Sequence, residues 1–475
     1  MILLDAINGL ADSKWSGHKN SVAKCVGLDL HSTPGLLKVQ QALALNSGAT
    51  VDELCRVAVN CSNGFTIWFS YTSGKIFARS STGTWTTAYT TSPGAGSAGC
   101  LGAAEFNGRI YWATQSRVHF ITVANVDGDW TGSPTLNFGT FDITDASFHP
   151  FAIVNDKLCI GDGYQIATIN NANAFDSNAL DIDDKYRIKC LAAQGIDLVV
   201  GTWVAATHNE AEILRWDTEA ESWNISDPVP EVGVNAFIRD DNFLYAQVGR
   251  SGRIYLYDGE KLIPVTRIPG DFTNVKYGEV YPGSAAMFRG IPVFGFSNST
   301  ESANTTGNPA DQGVYSMGSY SEAYDKVLDL SWVISQDDVT GVEIGAIIVT
   351  GFNLMVAWTD GTSFGVDMIN WSAKYASAYF ETRLLFQGDR EKDKTVAEVS
   401  AFYETLPAST SVTFGYQTDH SGSYTNMTSV TDSTRNRIYA RETVDRIGAL
   451  QLRVQFGVSS NNAPTLEIPL AAEII

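Results

Sequence analysis

One local pattern returns seven times between Ile67 and Phe364, and it constrains the fold more than any other feature of the sequence. In each copy a short apolar run is followed by a turn rich in Gly, Asn, Asp or Ser, and then by a second apolar run. The first runs lie near residues 67, 110, 158, 198, 244, 293 and 354, so the spacing is 40 to 61 residues. Units of roughly 40–50 residues with about four short strands each are typical of propeller blades. We therefore predict an all-β fold, a β-propeller with seven blades.

The runs themselves have the composition of strands, rich in Val, Ile, Tyr, Phe and Trp. The seven pairs are 67–69 with 75–77, 109–112 with 118–120, 157–160 with 165–167, 197–200 with 213–216, 243–245 with 252–255, 292–294 with 313–315, and 354–358 with 364–366.

The flanking regions suggest a division into three parts. Residues 1–24 are mixed, small and polar, and we predict an N-terminal arm there, followed by the propeller over 25–386. A charged run at 387–394 marks a boundary. Beyond it, apolar and polar residues alternate, as in Leu450, Leu452, Val454 and Phe456, which is typical of half-buried antiparallel strands. We predict a small C-terminal β-sandwich over 387–475.

Two further segments carry expectations. Residues 27–39 contain two apolar runs around Pro34-Gly35, a turn dipeptide. This surplus β segment precedes the first blade, and we hypothesise that it pairs with the last blade and closes the ring. Residues 297–312 contain no apolar side chain larger than Ala, which predicts an exposed excursion. That excursion is either a contact loop or a tolerated insertion.

The charge balance argues against one class of function. The net charge is −20 although only 18% of residues are charged. Proteins that hold nucleic acid electrostatically need clustered Lys and Arg facing the phosphates. The acidic balance indicates either simple solubility or a surface that must not adhere to DNA beside it.

The cysteines and the N-terminus bear on location. Six cysteines (25, 55, 61, 100, 159 and 190) are scattered without a C-x-x-C pair, and most lie within apolar runs. We predict small buried hydrophobes with reduced thiols, which suits assembly in a cytoplasm. Residues 1–5 lack the basic start of a signal peptide, and no stretch approaches the ~20 apolar residues of a membrane span.

A search for catalytic chemistry yields no site residue. No Walker or H-E-x-x-H motif occurs, and the six histidines are isolated. Acidic groups at 181–184, 219–221 and 337–338 could in principle supply a glycosidase pair, but all have the context of exposed turns. His119 lies within a predicted strand, and we expect it to be a structural histidine and not a ligand. We predict no catalytic, cofactor-binding or metal-binding residue, no cofactor and no enzyme activity.

We predict structural roles for two turn-like motifs and for most of the tryptophans. Residues 125–129 begin like a calcium loop, but Trp130 and Leu136 replace the required Gly and Glu, so we predict a hairpin turn. Residues 80–85 are similar to the end of an Asp-box hairpin, with Thr82 in place of Asp. Most tryptophans lie inside apolar strands and are predicted to pack between blades, namely Trp68, Trp112, Trp216 and Trp358.

Two stretches resemble the tail nozzle (tail-hub, packaged-DNA stabilisation) proteins of short-tailed bacteriophages. One is residues 28–36, a strand, a Pro-Gly turn and a second strand before the first blade. The other is the C-terminal succession of 382–386, 396–403, 412–419, Arg446-Ile447-Gly448 and 450–454. The order of elements covers most of the chain, but no short motif defines functional residues that could be transferred.

The resemblance implies a structural virion protein. Members of this family form homohexameric rings below the head-to-tail adaptor, extend the DNA-exit channel, retain the genome and offer surfaces to fibres or spikes. The implied partners are therefore further copies of this chain, the adaptor, tail fibres or spikes, and genomic DNA that passes without sequence-specific binding. The implied location is the virion tail, after assembly in the host cytoplasm. Two alternatives stay open: a receptor- or carbohydrate-binding propeller, and a glycan-cleaving propeller.

Overall fold

The computed structural model describes an all-β chain with a single short 3₁₀ helix, Val123–Asn125, and no α-helix among the described residues. The described residues are 2–4, 10, 21–33, 35–89, 99–130, 133–143, 146–204, 210–240, 243–249, 252–268, 278–298, 311–319, 326–385, 394–418, 422–427, 429–431, 433–434, 437–447 and 449–474. Over these ranges, no helix is long and apolar enough to cross a membrane.

Five short strands precede the repeat region. They are β1 (Ile2–Leu4), β2 (Val22–Val26), β3 (Leu28–Asp29), β4 (Leu36–Val39) and β5 (Gln41–Leu45).

Seven sheets of the repeat region form the blades, and the first five are antiparallel sheets of four consecutive strands. Blade 1 contains β6 (Cys55–Asn60), β7 (Thr66–Ser70), β8 (Ile76–Arg79) and β9 (Trp85–Tyr89). Blade 2 contains β10 (Gly102–Phe106), β11 (Arg109–Thr114), β12 (Arg117–Thr122) and β13 (Thr135–Thr140). Blade 3 contains β14 (Phe151–Val154), β15 (Lys157–Asp162), β16 (Gln165–Asn170) and β17 (Phe175–Asp181). Blade 4 contains β18 (Arg187–Gln194), β19 (Asp197–Trp203), β20 (Ala211–Trp216) and β21 (Ile225–Val229). Blade 5 contains β22 (Val234–Asp240), β23 (Phe243–Val248), β24 (Arg253–Tyr257) and β25 (Leu262–Arg267).

The last two blades depart from this plan. Blade 6 contains β26 (Gly278–Glu279), β27 (Ala285–Phe288), β28 (Ile291–Asn298), β29 (Gly313–Gly318) and β30 (Val327–Trp332), and both β26 and β27 pair with β28. Blade 7 contains β31 (Glu343–Thr350), β32 (Asn353–Thr359) and β33 (Phe364–Lys374), and its fourth strand is β5 from the N-terminal region.

The predicted propeller is confirmed, with seven blades. The first strands of successive blades contact one another, and β31 contacts β6, so the inner strands close a ring. Each predicted pair of apolar runs lies in the two strands that follow the inner strand of its blade. These strands are buried on both faces, as in Thr66–Ser70, where every residue is buried. That double burial explains why the sequence shows continuous apolar runs rather than alternation.

Packing between adjacent blades supplies the core. Seven hydrophobic clusters each join one blade to the next, and the cluster between blades 7 and 1 completes the circle. In β7, Ile67 and Phe69 pack toward blade 2, whereas Trp68 packs toward blade 7. Burial of a large side chain contributes roughly 1.5–3 kcal/mol, so every blade is stabilised by both neighbours.

The ring is closed by a strand other than the predicted one. Residues 41–45 pair with β33 and complete blade 7, whereas the predicted segment 27–39 does not pair with that blade. Its strands β3 and β4 pair with each other, and β4 pairs with a C-terminal strand. The side chain of Leu43 in β5 is buried in the cluster between blades 6 and 7, whereas Leu37 and Val39 in β4 are buried among C-terminal side chains.

The two ends of the chain form a second body, which we call the terminal unit. It contains β1 to β4 and the C-terminal strands β34 (Tyr379–Thr382), β35 (Lys394–Tyr403), β36 (Ser411–Thr418), β37 (Thr425–Asn426), β38 (Arg437–Ile447), β39 (Leu450–Gly457) and β40 (Thr465–Ile474). One sheet has the order β3-β4-β40-β35-β38 with β1 on β40. The other has the order β2-β34-β39-β36-β37 and continues through β2 into β30 of blade 6. Residues of both sheets share one hydrophobic cluster, which is the arrangement that a sandwich requires.

Several sequence predictions concern the terminal unit. Leu450, Leu452, Val454 and Phe456 are buried together, as the alternation predicts. Gln451, which the alternation places on the opposite face, is also buried, and its amide nitrogen donates to the carbonyl oxygen of Thr382 at 2.8 Å. The division of the chain at 24/25 and 386/387 stays a prediction. The structure adds that residues 22–39 and 379–382 pair with C-terminal strands.

Some predictions lie outside the described residues. These concern most of the arm at 1–24, Pro34 of the turn, residues 299–310 of the predicted excursion and residues 387–393 of the charged run. His18, His208, His420 and Gly448 belong to the same group.

Candidate functional site at the mouth of the axial channel

A cavity of about 550 Å³ lies where segments of blades 1, 3, 4 and 6 meet around the axis. Its lining combines cationic, aromatic and small polar side chains: Arg56, Tyr71, Ser147, Phe148, Gly163, Arg187, Ile188, Lys189, Trp203, Glu279 and Tyr281. A second cavity of about 170 Å³ is lined further by the inner strands of blades 1 to 5, and it shares five residues with the first, namely Arg56, Tyr71, Ser147, Phe148 and Tyr281. The two cavities adjoin one another through these shared residues, and we call the region that they form the axial mouth. The larger volume lies within the ~300–1,000 Å³ of small-molecule sites.

Arg56, the second residue of the inner strand β6, is held rigidly at this mouth. Its guanidinium carbon lies 3.7 Å from the ring centroid of Tyr71 and 3.9 Å from that of Tyr281. Nη2 donates to the Tyr281 hydroxyl at 2.9 Å and to Oε2 of Glu343 at 3.2 Å. Cation–π contacts of this kind contribute roughly 0.5–2 kcal/mol each. The charge of Arg56 is therefore already balanced by Glu343.

A glycine makes this close approach feasible. A Cβ atom on Gly283 would lie 2.2 Å from the carbonyl oxygen of Arg56, far inside van der Waals contact. Gly283 also accepts a backbone hydrogen bond from Ile347 at 2.8 Å. The segment leading into blade 6 can thus lie against the backbone of blade 1 only with glycine at this position.

Lys189 is the second cation of the cavity and is almost fully buried, with 3% of its surface exposed. Its Nζ donates to Oδ1 of Asn235 at 2.8 Å and forms an ion pair with Glu279 at 3.0 Å. The same nitrogen lies 5.0 Å from the ring centroid of Phe148. A buried ammonium requires such partners, because its desolvation would otherwise be prohibitive.

Arg187 is the third cation, and it differs from the other two. It lies two residues before Lys189 on β18, and both residues line the cavity. Nη1 donates to the backbone carbonyl oxygens of Asp184 at 2.7 Å and Tyr186 at 2.8 Å. No carboxylate among the described residues forms an ion pair with Arg187. Its charge is half-buried and unbalanced.

The cavity is therefore locally positive on a strongly acidic chain. Its lining contains three cations and one carboxylate, whereas the whole chain carries a net charge of −20. Arginine and lysine donors bind anionic oxygens strongly, and aromatic faces bind apolar surfaces of a ligand. Burial raises the pKa of Tyr281 far above its ordinary range, so this hydroxyl stays a neutral hydrogen-bond donor or acceptor. The arrangement suits a small ligand with an anionic group and a flat apolar face.

The acidic groups considered for glycan cleavage do not line this cavity. Asp181 ends β17 and accepts from Nε2 of Gln165 at 2.8 Å, and Asp183 accepts from the backbone of Lys185 at 3.1 Å. Glu219 forms an ion pair with Lys157 at 2.8 Å. Each of these three carboxylates has a structural partner of its own, and none shares a partner with another.

The remaining members of those acidic groups are also placed in turns. Asp337 accepts from the hydroxyls of Ser377, at 2.9 Å, and Tyr375, and it adopts a left-handed turn conformation with a φ of 59°. Asp184 and Glu221 are exposed in turns or bends, and Asp338 is half-buried in the segment after a turn. The geometry gives no paired carboxylates facing one another among these residues.

His119 is a structural histidine, as predicted. The ring is buried, stacks on Trp112 with centroids 5.4 Å apart, and uses both nitrogens. Nδ1 accepts from the backbone nitrogen of Asn137 at 3.0 Å, and Nε2 lies 3.1 Å from Oγ1 of Thr114. Burial and the nearby charge of Arg117 lower the pKa of His119 from 6.5 to about 4. The imidazole is neutral at pH 7.

A second buried histidine joins the terminal unit to blade 6. Nε2 of His31 lies 3.0 Å from Oδ1 of Asp329, which also accepts from the hydroxyls of Ser316 at 2.6 Å and Ser331 at 3.1 Å. Burial acts to lower the pKa of His31, but the charge and hydrogen bond of Asp329 outweigh it and raise the pKa above 6.5. Both serine hydroxyls bind the carboxylate and not the imidazole. This cluster therefore lacks the serine-to-histidine hydrogen bond of a hydrolytic triad.

The two turn motifs have the expected structural character. Residues 80–84 form a tight hairpin between β8 and β9, in which the Thr84 amide donates to Oγ of Ser80 at 3.0 Å. The 125–129 segment is part of the connection between the antiparallel strands β12 and β13. That connection also includes the 3₁₀ helix and is longer than the predicted hairpin turn. There the Asp129 amide donates to Oδ1 of Asp127 at 2.8 Å, and Trp130 is buried.

The predicted packing roles of the tryptophans and cysteines are confirmed. Each of the four tryptophans named from the sequence is buried in a cluster between blades: Trp68, Trp112, Trp216 and Trp358. The six cysteines are free and buried. Burial raises the pKa of the Cys61, Cys100 and Cys159 thiols to about 12. Within the described part of the chain, no group of three or more His, Cys, Asp or Glu side chains is placed to hold a metal ion.

Comparison with known proteins identifies no family. No protein-family model matches the sequence, and no curated protein matches it. Among solved structures, the chain is similar to the extracellular domain of a hybrid two-component system from B. thetaiotaomicron, with 13% identity and a TM-score of 0.47 over 78% of this chain and 44% of that one. It is similar to streptogramin B lyase, with 10% identity and a TM-score of 0.47 over 69% of this chain and 97% of that one. It is also similar to the WD40 repeats of RRP9, with 12% identity and a TM-score of 0.48 over 69% and 98%.

These likenesses are distant. The chain spans less than half of the length of the B. thetaiotaomicron extracellular domain. At such identities and TM-scores, the similarities carry no information about a ligand, substrate or partner of this chain.

Sequence reasoning missed the cations of the axial mouth. Arg56 stands alone in its strand, and its partners Tyr281 and Glu343 lie more than 200 residues further along the chain. One local signal was present: Arg187 and Lys189 alternate around Ile188 at the start of a strand, where one face would be expected to be apolar.

Proposed function

We propose that this chain is a structural virion protein of the tail nozzle type. In this proposal six copies form a ring below the head-to-tail adaptor, extend the DNA-exit channel and hold the genome before infection. Tail fibres or spikes bind the outer surface, and DNA passes through the lumen without sequence-specific contacts.

The terminal unit is the observation that supports this role most. The two stretches that resemble nozzle proteins lie at opposite ends of the sequence, yet their side chains share one cluster. Leu28 and Leu30 from the first stretch pack with Phe414, Leu452 and Val454 from the second. The resemblance thus corresponds to one three-dimensional body attached to the propeller.

The charge of the chain is compatible with a conduit. A net charge of −20 disfavours adhesion to phosphates, which is the converse of the counterion release that drives DNA binding. We expect carboxylates to be enriched on the surface that faces the lumen of the ring.

The mass of the purified protein in solution tests the proposal. Native mass spectrometry or light scattering should find six times the chain mass of 51.5 kDa. Electron micrographs of particles labelled with an antibody to this chain should show it at the base of one capsid vertex. A monomer in solution, together with particles that lack the label at the tail, would refute the nozzle role.

A second candidate is a ligand-binding propeller on a virion or cell surface. The axial cavity favours it, because three cations and four aromatic rings converge there from four blades. The two functions are compatible in one chain, since the cavity and the terminal unit occupy different parts of the molecule.

A further inference from the structure

We propose that the axial cavity binds a carboxylate-bearing sugar and that Arg187 is the residue that recognises the carboxylate. This inference rests on the second candidate function and is independent of ring assembly. It begins from the different states of the three cations in one cavity.

Of the three cations, Arg187 alone combines an unused binding edge with the lack of a carboxylate partner among the described residues. Arg56 and Lys189 are balanced by Glu343 and Glu279, as described above. In Arg187 the two Nη1 hydrogens are directed at backbone carbonyl oxygens, which leaves Nε and Nη2 without an acceptor among the described residues. A guanidinium edge with two parallel donors matches the two oxygens of a carboxylate.

The backbone contacts also orient this edge in advance. The carbonyl oxygens of Asp184 and Tyr186 fix the plane of the Arg187 guanidinium before any ligand arrives. The guanidinium carbon further lies 5.6 Å from the ring centroid of Tyr164. Because little side-chain freedom remains to be lost, binding an anion here has a low entropic cost.

The rest of the lining matches the remainder of a pyranose. Trp203 and Phe148 are half-buried and offer aromatic faces to the apolar C–H side of a sugar ring. Ser147 and the Glu279 carboxylate can exchange hydrogen bonds with ring hydroxyls. A cavity of about 550 Å³ with a single unbalanced cation is too small and too weakly charged to bind a nucleic-acid backbone.

Isothermal titration calorimetry with two matched pairs of probes tests the inference on the full-length protein. The first pair is trigalacturonate and its methyl ester, and the second is 3′-sialyllactose and lactose. Within at least one pair, the acidic sugar should bind roughly 10-fold or more tightly than the neutral one, because the neutral one lacks the charged acceptor.

Substitutions at position 187 test whether Arg187 binds the carboxylate of the sugar. Arg187→Gln should weaken binding of the acidic sugar by roughly 10- to 100-fold, and Arg187→Lys should give an intermediate loss, because the charge stays but the fork is removed. Lys185→Gln is the matched control. It removes the same charge from the adjoining turn, where Lys185 is exposed and does not line the cavity, and should change affinity less than about twofold. Melting temperatures within a few degrees of wild type would show that all three variants are folded.

Three results would overturn the inference: equal binding of acidic and neutral sugars, unchanged affinity in Arg187→Gln, or no binding of either acidic sugar at millimolar concentration. A hexaglutamate peptide is included in the same titrations. If it binds through Arg187 while neither sugar does, the site recognises an acidic protein segment and the sugar assignment is wrong. None of these results changes the mass measurement that tests the nozzle role.

Discussion

Protonation of His119 should destabilise the fold in a defined pH window. Its neutral ring is buried, with Nδ1 accepting from a backbone amide and Nε2 bound to Thr114. The pKa is about 4 in the folded protein and ordinarily 6.5. Between these values the unfolded chain binds more protons than the folded one. The stabilising contribution is therefore present above pH 6.5 and is lost as the pH falls toward 4.

The magnitude follows from the shift. A difference of one pKa unit corresponds to about 1.4 kcal/mol, so the full loss below pH 4 is about 3 kcal/mol, and about 2 kcal/mol is lost between pH 7 and pH 5. The charged ring would also lose its role as acceptor for the Asn137 amide. In His119→Gln the side chain at position 119 cannot be protonated, so the variant should lack this pH-dependent loss of stability.

The assay compares urea unfolding of wild type and His119→Gln at pH 7 and pH 5. At pH 7 the free energy of unfolding should be lower for the variant than for wild type, because the stack on Trp112 is lost. At pH 5 the difference between the two proteins should be smaller by about 2 kcal/mol. The difference isolates His119, since all other titrating groups are shared. An NMR titration of ring-labelled histidine, assigned with the variant, gives the pKa directly. A deficit that is the same at both pH values, or a ring that titrates near 6.5, would refute the reasoning.

Three further predictions concern closure, the buried pair and the thiols. Leu43→Ala should lower the free energy of unfolding by about 2–5 kcal/mol in urea, because Leu43 is buried between blades 6 and 7. Leu45→Ala on the same strand should cost less than about 1 kcal/mol, because 44% of Leu45 is exposed. Equal effects of the two substitutions would contradict closure of the ring by β5. Asp329→Asn should lower the pKa of His31, and the melting temperature should fall more at pH 5.5 than at pH 8.5. The reason is that the raised pKa of His31 stabilises the folded protein below pH 6.5, and this stabilisation is lost as the pH rises. A larger fall in melting temperature at pH 8.5 would exclude a charged pair of His31 and Asp329. All six thiols should resist a thiol reagent at pH 8 until the protein unfolds, and rapid labelling of the native protein would show that the blades are not closed.

The blades could be predicted from the sequence because their central strands are buried on both faces. Such strands are continuous apolar runs, and β15 and β29 show it clearly, with nearly every residue buried. Outer strands gave a weaker signal. In β13 only Gly139 is fully buried, so neither apolar run nor alternation marks it. Ring closure was assigned to the wrong segment because residues 27–39 and 41–45 are both short apolar strands. Their partners are more than 300 residues away, and nothing local distinguishes them.

The axial site could not be assembled from the sequence for a related reason. Each cation of the cavity is a lone charge at the start of an inner strand, and its partners depend on which blades face it across the axis. Arg56 meets Tyr281 and Glu343 from blades 6 and 7, and Lys189 meets Glu279 from blade 6. Only the closed ring of seven brings these residues together.

The connection between the two bodies links both proposals mechanically. Strand β2 pairs with β34 of the terminal unit on one side and, through Val26 and Leu330, with blade 6 on the other. The backbone nitrogen of Gly27 donates to the carbonyl oxygen of Leu330 at 2.9 Å, and the buried pair of His31 and Asp329 lies beside this junction. The propeller therefore cannot turn relative to the terminal unit without breaking backbone hydrogen bonds in a buried region. If ring contacts are made through the terminal unit, they also fix the direction in which each axial cavity opens. Six cavities in one ring would then face the same way, and weak binding of single sugars would become strong binding of a surface that displays many of them.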